Sequence, residues 1–168
     1  MAKPVKVRYY RLKNKLKEKA IGLGNVNADD VSFDEDMMIK AQAALQEMAE
    51  DYPDWVSTLI DSLAEEHRRC VDSPEFRKAH FEKINAIAHD MKGQGGTFGY
   101  QLITDFADGL YNFTGPNAGM GDSHVEIIKA HIDAMRVVIK DRIEGDGGEI
   151  GTELKKSLDA AIEKYRTR

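Results

Sequence analysis

Apolar residues recur at intervals of three and four through most of this 168-residue chain, and no stretch of alternating apolar residues suggests a sheet. A helix turns about 100° per residue, so this spacing lines up one face of a helix, whereas a strand needs period two. One stripe is Val56, Leu59, Ile60, Leu63 and Cys70. Others are Leu102, Ile103, Phe106, Leu110 and Phe113, then Val125, Ile128, Ile132, Met135 and Ile139, then Leu154, Leu158, Ile162 and Tyr165. Trp55 and the seven methionines read as further core. The expected fold class is all-α, an antiparallel four-helix bundle from about residue 53 to 144 with additional N- and C-terminal helices.

Punctuation along the chain supports that division. Gly22 to Asp30 reads as a linker. Ser32-x-x-Glu35 is a capping box that opens a helix to about Glu50, and Asp51-Tyr-Pro53 opens the next. Ser73-Pro74 makes an N-cap and first-turn pair for a third helix. Gly95-Gly96 ends it, and Thr97 is placed to cap the helix that runs to about Phe113. Ser123-x-x-Glu126 is a second capping box, for a helix reaching about Ile143. Asp146-Gly-Gly148 breaks it before a last helix over about 152–166.

Charge is unevenly placed. Residues 1–20 hold eight Lys/Arg and one acid, a net of +7, which leaves 16 bases and 28 acids in the rest, a net of −12. Residues 1–30 are thus a basic segment and linker, and 31–168 a helical domain with an acidic body. Tyr9, Leu12 and Leu16 share one helical face, so the segment is either a solvated tail or a docking helix. An acidic body argues against nucleic-acid binding as the main task. No apolar run reaches the roughly 20 residues needed to span a bilayer, and the N-terminus lacks a signal-peptide core. A single cysteine, Cys70, excludes an internal disulfide framework. The expected location is the cytoplasm.

The helix that follows Ser73-Pro74 carries the chemistry. Its apolar residues Phe76, Ile84, Ile87 and Met91 fall at about 0°, 80°, 20° and 60° on a helical wheel, centred near 40°. His89 then falls near 220°, directly away from the core, with Lys92 and Gly93 to either side. A histidine ring of ordinary pKa, about 6.5, is mostly unprotonated near pH 7 and nucleophilic. Attack on an acyl phosphate gives a phosphoimidazole, a transfer that needs positioning and charge neutralisation more than covalent help. Lys92, three residues on, reaches a phosphoryl group on His89. Gly93 costs about 1 kcal/mol in a helix interior, and a bare backbone there leaves room for another protein to approach the ring.

His89-x-x-Lys92-Gly93, with Gly99 ten residues after the histidine, resembles the histidine-containing phosphotransfer (HPt) domain of two-component phosphorelays. The run from His89 to Tyr100 is especially similar to the phosphotransfer domain of chemotaxis-type histidine kinases. The likeness is dense over about 85–113 and only architectural elsewhere in the bundle. It implies a phosphocarrier in a His–Asp relay, not an enzyme with its own ATP site. On that likeness His89 is expected to be the phosphorylated residue, Lys92 the phosphoryl stabiliser, Gly93 the point of partner access and Gly99 a turn. It also implies response-regulator receiver domains and a histidine kinase or hybrid kinase as partners. No cofactor of its own is expected, the magnesium being held by the receiver. Relatives place polar residues that orient the imidazole at the positions of Asp108 and Tyr111. This chain departs from the pattern with Gln94, where small residues are usual, and with Tyr111, where Gln or Glu is common.

Two other readings are distinct in class. An HPt-like adaptor would bind a receiver domain without carrying phosphate. A metal-binding helical bundle would use His124 and His131, seven apart on one face, but no Glu-x-x-His pair accompanies them. They are expected to be exposed or half-buried structural residues, and His67 and His80 partial-core residues. The glycines of 115–121 lack the Gly-Lys-Ser/Thr ending of a phosphate-binding loop.

Overall fold

A computed structural model describes residues 35–166. The basic segment 1–20, the linker and Ser32 lie outside the described residues. The described residues form helices and turns only: α1 Glu35–Asp72, a 3-10 turn Pro74–Phe76, α2 Arg77–Gln94, α3 Gln101–Phe113, α4 Asp122–Lys140 and α5 Gly148–Arg166. The all-α expectation holds over this region. The chain divides into two compact units, Met1–Ala43 and Ala44–Arg168. Of the first unit, the described residues are the opening turns of α1, where Met37, Met38 and Ile39 are exposed.

Within the second unit, α2 packs against α3, α3 against α4, and α4 against α5. The C-terminal half of α1 is tied to α2 by Glu66 Oε2 to His80 Nδ1 at 2.7 Å and to α4 by Arg136 Nη2 to Asp61 Oδ1 at 3.2 Å. The core is Tyr52, Val56, Ile60, Leu63 and Cys70 from α1, Phe81, Ile84, Ala88 and Met91 from α2, Leu102, Ile103, Phe106 and Leu110 from α3, and the stripe of α4, while Phe113 at the end of the α3 stripe is only half-buried. Leu158 of α5 joins it. Arg77, only 8% exposed, ties three helices. Its Nε donates to Cys70 O at 2.8 Å, Nη1 to Met120 O at 2.7 Å and Nη2 to Asp122 Oδ1 at 2.6 Å. A buried guanidinium is tolerated when its donors are used in this way.

Several expectations are corrected. There is no break at Asp51, because α1 runs through Pro53. Proline removes one backbone donor and costs about 3 kcal/mol inside a helix. Tyr52, Pro53 and Val56 are all buried, and their packing offsets that cost. Ser73 makes no side-chain cap, and its proline opens a 3-10 turn rather than α2 itself. The cap of α3 is Tyr100, not Thr97, because 95–99 is taken up by successive turns. The Ser123 box does not form: α4 has already begun at Asp122, with the Gly121 carbonyl accepting from His124 and Val125 N–H. Trp55 is 43% exposed, and Met37, Met38, Met48 and Met120 are exposed too. Only Met91 and Met135 among the described methionines lie in the core. Long flexible apolar chains can lie on a helix surface, so composition alone misplaces them.

Candidate functional site

The stripe that orients His89 is rotated from its expected position. Phe76 precedes α2 and is 60% exposed, whereas Phe81 and Ala88 are buried with Ile84 and Met91. Ile87 is half-buried at the edge. On the same wheel the four buried residues centre near about 100°. His89 then lies about 120° from the core rather than opposite it, and Gly93, at about 160°, is the residue that points most nearly away. His89 is exposed as expected, but on the flank of α2 that borders α3.

That rotation sets the contacts. The His89 ring lies 5.4 Å from the Tyr111 ring, tilted at 47°. Lys92 Nζ sits 4.1 Å over the same Tyr111 ring and donates to Asp108 Oδ1 at 3.0 Å. Asn112 Nδ2 donates to Asp108 Oδ2 at 3.3 Å. Tyr111 therefore forms a shelf that carries the imidazole and the ammonium together. Such a cation–aromatic contact contributes about 0.5–1 kcal/mol at a partly exposed site. The shelf is fixed from behind, since Asn85 Nδ2 of α2 donates to Tyr111 O at 2.7 Å and to Thr114 Oγ1 at 3.1 Å.

The expected orienting roles divide. The Tyr111 ring lies beside the imidazole, tilted to it, and makes no hydrogen bond to it. Asp108 makes no hydrogen bond to His89 and turns its carboxylate to Lys92 and Asn112 instead. Its position on α3 puts it level with the lysine, one turn from the histidine. The His89 ring has no hydrogen-bond partner among the described residues, which leaves its nitrogens available to an incoming group.

The glycines serve different ends. A Cβ on Gly93 would meet nothing within 4 Å beyond its own helix turn. One on Gly95 would lie 2.7 Å from Thr104 Oγ1 and 2.8 Å from Thr104 N and Tyr100 O. Gly95 is thus a packing residue that lets α2 close against the start of α3, where Gly96 N donates to Thr104 Oγ1 at 2.9 Å. Gly99 has φ +85°, a left-handed conformation that glycine adopts without a Cβ penalty. That turn is pinned to α1 by Tyr52, whose ring stacks on Phe98 at 4.8 Å and packs on Tyr100 at 5.5 Å. Gln94 is half-buried, with an Oε1 that has no partner among the described residues.

The other four histidines lie in packing or hydrogen-bond contacts. His131 is 2% exposed, more buried than expected, and its Nδ1 pairs with Ile127 O at 2.8 Å. His124 Nε2 pairs with Phe113 O at 2.9 Å. His67 is half-buried and His80 is held by Glu66, as partial-core residues. No group of three or more His, Cys, Asp or Glu that could hold a metal ion occurs among the described residues. Cys70 is buried and its thiol is pushed up to about 11 by that burial, so it is no nucleophile at neutral pH. No described helix is long and apolar enough to cross a membrane.

No protein-family model, curated protein or solved structure matches this chain.

Proposed function

We propose that this protein is a cytoplasmic phosphocarrier of a His–Asp relay, with α1 to α4 forming an antiparallel four-helix bundle of the HPt kind. One observation carries the reading. An exposed imidazole with free ring nitrogens rests on an aromatic shelf, with an ammonium over the same shelf and open backbone at Gly93. The packing of successive helices joined by short connections supports the bundle.

In the proposed transfer, a ring nitrogen of His89 attacks the phosphorus of a receiver's aspartyl phosphate. The N–P bond forms as the acyl P–O bond breaks, and the receiver's carboxylate leaves with the bonding electron pair. The reverse step returns the phosphoryl to a receiver. Lys92 offsets charge on the phosphoryl oxygens, a charge-assisted hydrogen bond of about 1.5–3 kcal/mol at most. Magnesium belongs to the receiver, and the kinase that charges the relay supplies the ATP chemistry.

Incubation with phosphorylated receivers and with phosphoramidate tests this. His89→Gln should abolish an acid-labile label while helical circular dichroism is unchanged. Label that persists in the variant would sink the proposal. An adaptor that binds receivers without phosphate would show complex formation and no label on the native protein.

A further inference from the structure

Lys92 is engaged by a carboxylate of the neighbouring helix. Its Nζ donates to Asp108 Oδ1 at 3.0 Å, while Asn112 holds the other carboxylate oxygen. The Lys92 side chain is 29% exposed and that of Asp108 51%. A phosphoryl group on His89 would need the same ammonium. One cation one turn from the histidine then faces two anionic claimants. The chain could have placed a neutral side chain at 108, and Asp108 instead makes the phosphoryl compete.

Resting on the phosphocarrier reading, we propose that Asp108 is a positioning residue acting through Lys92: it keeps a share of the ammonium's charge and so holds phospho-His89 in a labile, readily discharged state. The Tyr111 ring, which also borders the imidazole, lies under the ammonium, with Nζ 4.1 Å over it. The result is a carrier tuned for turnover rather than for storage. In hydrolysis, water adds to phosphorus and the N–P bond breaks. The ring nitrogen takes the bonding pair, and inorganic phosphate departs. Full engagement of Lys92 with the phosphoryl oxygens lowers the energy of the loaded ground state, so releasing Lys92 from Asp108 slows both this loss and the return to a receiver.

The experiment loads the full chain with phosphoramidate, a small donor from which ammonia leaves as the N–P bond to His89 forms. The lifetime of the label is then followed by phosphorus NMR. Asp108→Asn and Asp108→Ser should each lengthen it about two- to fivefold, the range for a partly exposed ion pair. Asp108→Glu, which keeps the charge, should restore a lifetime near the native one. In a Lys92→Ala background the same substitutions at 108 should change nothing, because the carboxylate acts only through the lysine. Asp108 is half exposed, so neither replacement opens the core, and circular dichroism checks that each variant is folded. An unchanged or shortened lifetime in Asp108→Asn would overturn the proposal. Equal lengthening in the Lys92→Ala background would overturn it too, by showing direct repulsion between carboxylate and phosphoryl. Absence of any label on native His89 would instead bring down the phosphocarrier reading and this proposal together.

Discussion

Gly93 and Gly95 are two residues apart and answer to opposite constraints. Open space around Gly93 means that Gly93→Ala should keep the fold and raise stability by up to about 1 kcal/mol, the helix-propensity difference. If the proposed phosphocarrier function holds, Gly93→Gln should slow transfer from a phosphorylated receiver yet leave labelling by phosphoramidate near normal, since only a protein donor would need the clearance. Equal rates with both donors would show that Gly93 has no part in access. Gly95→Ala presses a Cβ against backbone atoms of Thr104 and Tyr100 and should lower stability by about 1–3 kcal/mol in urea denaturation. The motif of His89, Lys92 and Gly93 was legible in the sequence because all three sit within one helical turn and a half. The partners of Lys92 were not, because Asp108 and Tyr111 lie on another helix and their facing depends on the rotation of α2 about its axis.

Among the elements, the crossing of α3 and α4 shows how closely two helices can be fitted. A Cβ on Gly109 would come within 2.9 Å of His131 Nε2 and 3.3 Å of its Cδ2. His131 is buried and held by Ile127 O, so its ring has little freedom to withdraw. Gly109→Ala gains helix propensity of about 1 kcal/mol, but the clash with a fixed ring should outweigh it, for a net loss of about 1–2 kcal/mol. A denaturation midpoint at or above the native one would show that the ring can move. Sequence reading placed four of the stripes on the right helices, because period 3.6 is a local property. It misread α1 as two helices, because Pro53 is a local stop signal that buried packing overrides.

For the whole molecule, the buried histidines set the response to acid. Burial pulls His131 and His67 below the ordinary histidine value of 6.5. In the unfolded chain each takes up a proton near that value, while in the folded protein it does so only at lower pH. Their contribution is therefore fully present above about pH 6.5 and is lost as the pH falls through the folded values. Among the carboxylates, the Arg68 hydrogen bond holds Glu65 below 4.5. Burial pulls Asp105 up, but bonds from Lys155 and Gln101 outweigh it and leave it below 3.8. Carboxylate losses consequently begin lower, and the interval between about pH 6.5 and 5 isolates the histidines. Stability from urea titrations should fall across that interval, and His131→Gln should flatten the fall. An equal slope in the variant would show that His131 does not contribute.

The sequence by itself determined the helical class, most of the core stripes and the grouping of His89 with Lys92 and Gly93 as a candidate site, because each is written in spacing along one helix. Tertiary structure decided the angle at which His89 is presented, the shelf under it and the carboxylate that engages Lys92. Those depend on which residues of α2 are pressed inward by α1 and α3. Replacing Phe76 and Ile87 by Phe81 and Ala88 in the buried set turns the helix face by about 60°, and no local signal distinguishes an apolar residue that will be buried from one left at a helix start or edge.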